Sequence, residues 1–157
     1  PCASCGTARR YILNKYSKGF EIIATGHNLD DEAQAVMMNL LKNNTEIMKR
    51  QSIKTQDLDG FTIKIKPLYF MKEKEIRAYD VLQGWQVSFT ECPYIHASFR
   101  HDIQEALNKN VELKEGLVKL NLKISESENN KKTTKCKKCG EPSSHEVCNF
   151  CKLKCTI

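Results

Sequence analysis

Cysteine is the residue type whose number and spacing best suit chemistry in this 157-residue sequence, because four of its eight cysteines form two close pairs near the end. They are Cys136, Cys139, Cys148 and Cys151. Two CxxC pairs can surround one tetrahedral ion, so we predict a structural zinc site, with Gly140 making a tight turn after the first pair. The segment is too short to bury a core, and the metal would supply its folding energy. Cys155 is left over, either free or as an alternative ligand.

The role of such a module is open on sequence grounds. It either stabilises the chain and does nothing else, or contacts nucleic-acid phosphates through the lysines beside its cysteines. These lysines are Lys137, Lys138, Lys152 and Lys154.

A second and sparser cysteine group lies upstream. Cys2 and Cys5 form a CxxC pair followed by Gly6, and Cys92 is the only other cysteine before the tail. Three thiolates with one open position would suit an iron–sulfur cluster with a free iron, or a catalytic zinc. We favour the cluster. The alternative is that Cys2 and Cys5 are surface thiols and Cys92 a small core residue, because a lone CxxC pair is a weak signal.

Acidic and basic residues supply the remaining candidates. His27-Asn28-Leu29-Asp30-Asp31 follows a short apolar stretch that ends at Gly26. Asp30 or Asp31 either caps the next helix or lies beside a nucleotide or its Mg2+, where a carboxylate assists proton or metal chemistry. Arg9 and Arg10 are either solvated charges or phosphate ligands.

Helices and short strands must position these groups. Apolar periodicity with glycine and proline stops predicts helices at 7–18, after Asp31, at 73–84, from Ser98 and at 111–122, and strands at 21–25, 61–65 and 86–90. The helix after Asp31 should bury Ala33, Val36, Met37, Leu40 and Leu41. The helix at 73–84 should turn Ala78, Val81 and Leu82 inward.

This alternation predicts an α/β fold, a parallel sheet flanked by helices. Ligands of such sheets bind beyond the C-terminal ends of the strands, where Gly26 to Asp31, Pro67 and Cys92 are expected. A polar stretch at 125–135 predicts a linker between a domain at 1–124 and a zinc-binding domain at 136–157.

Bulk properties narrow the function classes. The net charge of +6 fits a polyanion partner. No apolar run approaches the roughly 18 residues that span a bilayer, and no secretory signal is evident, so we expect a soluble cytoplasmic protein with reduced cysteines and no membrane partner.

Several motifs come in one order and together resemble a known family. They are CASCG with Arg9-Arg10, TGHNLDDEAQ, KPL followed by KEKEI, ECPY with a downstream SFR, and the double-CxxC tail. The chain resembles the archaeal and eukaryotic-type tRNA 2-thiouridine synthetases, which are PP-loop ATP pyrophosphatases. The resemblance implies that a tRNA uridine exchanges its C2 oxygen for sulfur, after adenylation by ATP with Mg2+. The partners would be tRNA and a sulfur donor, either a ubiquitin-like carrier or sulfide, and a second copy of the chain could form a homodimer.

The resemblance also implies residue roles. Cys2, Cys5 and Cys92 would hold a 4Fe-4S cluster with one iron open to sulfide. Gly26 would lie against ATP, and Asp31 or Asp30 would be the catalytic acid. Arg9 falls where the family has a basic residue near ATP and the uridine, but its fixed charge suits phosphate binding better than proton transfer. The four cysteines of the tail would match the C-terminal zinc finger.

The chain departs from the family in one respect. The phosphate-binding loop and the N-terminal zinc finger, both upstream of CASCG in the family, are absent from this sequence. We therefore expect the C-terminal part of a longer enzyme, inactive by itself. Two alternatives are a PP-loop tRNA cytidine thiolase and a non-enzymatic zinc-bearing RNA-binding module.

Overall fold

The computed structural model describes residues 2–58, 60–88, 90, 92–94, 98–125 and 134–154, and only the backbone of Cys2. Two compact units divide the chain. The terminal unit comprises residues 1–23, 54–65 and 129–157, and the central unit comprises residues 24–53 and 66–128. The predicted linker falls mainly on residues 126–133, outside the described residues, and the predicted domain bounds stay predictions.

Helices dominate the described residues, and two small sheets complete them. In chain order the elements are α1 (Cys2–Tyr16), β1 (Ile22–Ala24), α2 (Leu29–Leu41), α3 (Thr45–Met48), β2 (Ile63–Ile65), α4 (Glu73–Leu82), α5 (Phe99–Lys109), α6 (Glu112–Ser125), β3 (Thr134–Lys135), β4 (Pro142–Ser143) and α7 (Asn149–Lys154). Strands β1 and β2 form a two-stranded parallel sheet, and β3 pairs with β4 in antiparallel register. The α/β class is confirmed, with a smaller sheet than predicted among the described residues.

Helix α2 organises the core of the central unit. Its buried apolar residues Leu29, Ala33 and Val36 recur at a spacing of three to four, so they line one face. Leu29 and Ala33 pack with Tyr69 and with residues of α5 and α6. Those residues are Ile103, Leu107 and Val118. Leu40 and Leu41, predicted to be buried, are 48% and 56% exposed because the core ends before the last turn of α2.

The N-terminus of α2 differs from the prediction. Asn28 is the N-cap, and its side chain accepts a hydrogen bond from the Asp31 amide at 2.9 Å. The Asp31 carboxylate accepts one in return from the Asn28 amide at 3.3 Å, which completes a capping box. Neither Asp30 nor Asp31 is therefore the N-cap itself.

Two further predictions about elements are wrong. No residue of α4 is buried, and Val81 and Leu82, predicted to point inward, are 71% and 82% exposed. Ala78 is exposed as well. Residues 86–88 and 90 are not in a strand, while Phe89 and Glu91 lie outside the described residues. Apolar periodicity marks a face that favours burial, but it does not supply the neighbour that buries it.

Candidate metal centre and acidic site

The four tail cysteines converge as their spacing predicts. The ligand atoms of Cys136, Cys139, Cys148 and Cys151 all lie within 4.8 Å of one another. Cys136 follows β3, Gly140 turns the chain with a φ of 72°, and Cys151 lies in α7. A positive φ suits glycine because it has no Cβ, so local sequence chemistry brings the two pairs together.

Hydrogen bonds and burial give the cysteines of this four-cysteine centre different pKa values. The Cys148 amide donates to Sγ of Cys136 at 3.2 Å, and this bond lowers the pKa of Cys136 to about 6. Burial, with the neighbouring thiols, raises the pKa of Cys151 to about 12. Four thiolates so close together repel one another unless a cation lies among them, so this donor set fits a metal ion.

Helix α1 packs against the module that carries these cysteines. The rings of Tyr11 and Phe150 stack with centroids 3.9 Å apart and an interplanar angle of 9°. Lys18 Nζ lies 2.7 Å from Oε1 of Glu141, a buried residue that follows Gly140. Burial, with the nearby Cys139 thiol, raises the pKa of Tyr11. Residues 134–154, which we call the metal module, therefore form one packed structure with α1 within the terminal unit.

The upstream cysteines are only partly described. Helix α1 begins at Cys2, so the first CxxC pair lies in its first turn rather than before it. The side chain of Cys2 lies outside the described residues, whereas Cys5 and Cys92 are exposed free thiols. Cys5 belongs to the terminal unit and Cys92 to the central unit. The three-cysteine site stays a prediction, and Cys155 lies outside the described residues.

The two candidate acids occupy different environments in the central unit. The carboxylate of Asp30 accepts hydrogen bonds from the ammonium of Lys114 and, at 2.7 Å, from the amide of Glu73. Burial alone would raise the pKa of Asp30, but these two bonds and the charge of Lys114 outweigh it, so the pKa is lowered. Lys114 is itself buried and also donates to Asn108 at 2.7 Å. Asp30 thus pairs with a buried lysine while 20% of its own side chain stays exposed.

Asp31 is more open and contacts the start of α5. Its Oδ1 accepts a hydrogen bond from Arg100 at 3.0 Å, and 35% of its side chain is exposed. The Nε of Arg100 donates to Oε1 of Gln34 at 2.5 Å, while Nε2 of Gln34 donates to the Arg100 carbonyl at 2.8 Å. Gln34 is buried, so it fixes Arg100 beside Asp31.

Sequence reasoning missed Lys114, Gln34 and the Arg100 contact. Lys114 lies 84 residues from Asp30, and Arg100 lies 66 residues from Gln34, so no local pattern connects them. Arg9 is exposed on α1 in the terminal unit. At Gly26, an added Cβ would have no heavy atom of the described residues within 4 Å apart from its chain neighbours, so no steric contact among them requires glycine there.

Comparisons with known proteins place this arrangement in context. No protein-family model matches the chain. A tRNA-5-methyluridine(54) 2-sulfurtransferase of Pyrococcus horikoshii is 40% identical over 164 residues, covering 98% of this chain and 53% of that protein. The cytoplasmic tRNA 2-thiolation protein 1 of Aedes aegypti is 32% identical, covering 97% of this chain and 48% of that protein. The chain thus spans about half the length of the curated relatives it matches.

A solved structure agrees with these relatives. The U34-tRNA thiolase NcsA of Methanococcus maripaludis, determined with its [4Fe-4S] cluster, matches with a TM-score of 0.81 and 32% identity over 100% of this chain and 53% of its own. The chain is homologous to the C-terminal half of the tRNA 2-thiolation enzymes. The resemblance found in the motifs is confirmed. None of the helices among the described residues combines the length and the apolar character that a membrane span requires.

Proposed function

We propose that this chain is part of a cytoplasmic tRNA thiolase that replaces the C2 oxygen of a uridine by sulfur in an ATP-dependent reaction. The observation that carries the proposal is the match of nearly the whole chain to tRNA 2-sulfurtransferases and to a U34-tRNA thiolase. The names of the Pyrococcus horikoshii and Methanococcus maripaludis proteins specify uridine, which favours this function over a cytidine thiolase or a non-enzymatic RNA-binding module. Since the family's phosphate-binding loop is not among these residues, we expect activity only when the upstream half is added.

We assign zinc to the four-cysteine centre on the spacing of its sulfurs. A tetrahedral ion with metal–sulfur bonds of about 2.3 Å holds its sulfurs roughly 3.8 Å apart. The sulfurs of Cys139 and Cys148 lie 3.7 Å apart, and the whole set lies within 4.8 Å. In a four-iron cluster each thiolate binds a different iron, which would place the sulfurs farther apart. The spacing therefore supports one structural ion.

We assign the iron–sulfur cluster to Cys2, Cys5 and Cys92. Cys5 and Cys92 fit this role chemically because both are exposed and neither forms a disulfide. When bound, a 4Fe-4S cluster with three thiolate ligands would supply one iron with an open position for sulfide. The residues' own task is to provide three thiolates and leave the fourth position free. The sulfide would come from a ubiquitin-like carrier or from solution, and a homodimer is compatible with this scheme.

Asp31 is our choice for the catalytic acid, with Asp30 as its structural neighbour. Both acids accept hydrogen bonds on both oxygens, but Asp30 pairs with the buried Lys114 and only 20% of its side chain is exposed, which leaves less access for a substrate than the 35% at Asp31. Asp31 keeps a partly exposed carboxylate that Arg100 and the capping box hold in one orientation. A fixed, accessible carboxylate can assist the proton or Mg2+ chemistry of uridine adenylation.

Arg9 and Gly26 would serve ATP. The guanidinium of Arg9 is exposed and permanently charged, so it can bind phosphate but not exchange a proton. Because no contact among the residues that the structure describes requires glycine at position 26, close approach of a nucleotide would explain the missing side chain.

Anaerobic reconstitution of the full chain with iron and sulfide tests the metal assignments. We expect visible cluster absorbance that Cys92→Ala abolishes and Cys136→Ala retains, while zinc content shows the reverse pattern. If every bound metal is zinc and Cys92→Ala changes nothing, the enzyme proposal fails. A second assay adds the upstream half of a relative and measures ATP-dependent incorporation of labelled sulfur into tRNA, where Asp31→Asn should abolish incorporation.

A further inference from the structure

The two units of the chain differ sharply in charge. The terminal unit contains 13 Lys and Arg against 5 Asp and Glu, a net charge of +8, whereas the central unit contains 12 against 14, a net charge of −2. A dication bound to four thiolates would lower the terminal unit by two, to +6. The whole excess of positive charge therefore resides in one unit, although the sequence spreads it over three separate segments.

Most of the exposed, described cations of the terminal unit lie on the metal module and on α1. On the module they are Lys135, Lys137, Lys138, Lys152 and Lys154. The stacked rings of Tyr11 and Phe150 bring α1 and α7 together. Lys15 follows Tyr11 by one helical turn and is exposed, and Lys154 Nζ lies 5.6 Å from the Phe150 ring centroid. Cations from both ends of the sequence therefore flank one contact.

The two acids of the metal module do little to offset the positive charge of its lysines. Glu141 is buried and paired with Lys18. Glu146 is exposed and lies 2.9 Å from Lys137, a surface pair that water screens strongly. The exposed lysines thus present a net positive surface, which is the electrostatic character that phosphate backbones bind.

We propose that the lysines of the metal module and Lys15 of α1 form the surface on which the phosphate backbone of tRNA docks. This inference rests on the proposed function, which supplies a tRNA substrate. Lysine ammonium groups are point charges that neutralise phosphates without reading bases, so this surface positions the RNA and the central unit contributes little to affinity. The four-cysteine centre then has an RNA-binding role in addition to stability.

Binding of an unmodified tRNA transcript to the full chain tests the surface, measured by fluorescence anisotropy over a salt series. The test variant is Lys137→Gln/Lys138→Gln/Lys152→Gln. The matched control is Lys74→Gln/Lys109→Gln/Lys123→Gln, which removes three exposed lysines from the central unit. We expect the test variant to bind tRNA at least about tenfold more weakly at about 100 mM salt. The logarithm of the association constant should also fall less steeply with the logarithm of the salt concentration, its slope being smaller in magnitude by about 2–3.

The control variant should bind within about twofold of the wild type, and Lys15→Gln should weaken binding further in the test background. Zinc content, measured on every variant, verifies that the module is still folded. Equal weakening by both triple variants, or an unchanged test variant with its zinc intact, would overturn the inference. Wild-type protein that fails to bind tRNA would overturn it too. Sulfur incorporation in the complemented assay reports on the proposed function separately, because the cluster cysteines and Asp31 are untouched in these variants.

Discussion

Replacement of Asp30 by Asn tests whether the first of the two adjacent acids is structural. Asp30→Asn keeps the shape of the side chain but leaves the Lys114 ammonium without a counter-charge. Only 6% of the Lys114 side chain is exposed, so water cannot replace the lost partner. Removing one member of a fully buried pair costs about 3–5 kcal/mol.

Two features of the site reduce that cost. Asp30 is 20% exposed, and Asn108 still accepts a hydrogen bond from Lys114. We therefore expect Asp30→Asn to lower the free energy of unfolding by about 2–3 kcal/mol. Lys114→Met should cost less, about 1–2 kcal/mol, because Asp30 keeps the Glu73 amide and some solvent. The double variant should cost less than the sum of the two by about 1 kcal/mol or more.

Asp31→Asn is the matched control. It removes a surface ion pair and leaves one acceptor oxygen for two donors, Arg100 and the Asn28 amide, so we expect a loss of about 0.5–1 kcal/mol. Urea unfolding followed by far-ultraviolet circular dichroism measures all four variants. A loss for Asp30→Asn no larger than that for Asp31→Asn would refute the assignment of Asp30 as the structural acid.

The pH dependence provides a second check. Because the pKa of Asp30 is lowered on folding, its contribution is complete above the unfolded pKa of about 3.9 and is lost as the pH falls through the folded value. The stability difference between wild type and Asp30→Asn should therefore be constant from about pH 5 to 7 and shrink below about pH 4. A difference that grows on acidification would contradict the ion pair.

Three further predictions concern the terminal unit and the helices. Gly60→Ala should lower the free energy of unfolding by about 1–3 kcal/mol, since φ is +80° and the new Cβ would lie 2.5 Å from Cγ of Pro142. The control is Gly116→Ala on an exposed turn of α6, where the new Cβ would have no described atom within 4 Å beyond the local helix backbone. This control should raise the free energy of unfolding by about 0.5–1 kcal/mol. Phe150→Ala should speed amide hydrogen exchange in α1, because the stack with Tyr11 is lost, while α2 exchanges as before. Removal of metal by a chelator should abolish protection in residues 134–154 and leave the core of α2, α5 and α6 protected; parallel loss in both regions would argue against a separately stabilised module.

The features that sequence predicts best are local ones. The four-cysteine centre follows from the spacing within two CxxC pairs and one glycine, all within sixteen residues. The buried face of α2 follows from helical periodicity at Leu29, Ala33 and Val36. Even so, the cap was misplaced by two or three residues, because Asn28, Asp30 and Asp31 all carry side chains that can cap a helix.

Long-range features were beyond sequence reasoning. Nothing near Lys114 indicates that it would meet Asp30, since the pair depends on how α6 packs on α2. The distinction between Asp30 and Asp31 comes entirely from such contacts. The apolar face of α4 shows the opposite error, a local pattern without a described partner to bury it.

The stack of Tyr11 on Phe150 joins positions 139 residues apart. During synthesis α1 therefore leaves the ribosome well before Phe150 has been made. The ring of Tyr11 stays in solvent until the segment that carries Phe150 has been made and has folded. Packing of α1 is consequently a late step in the folding of this chain, and if the four cysteines bind the ion that we propose, a shortage of that ion would leave α1 without its partner.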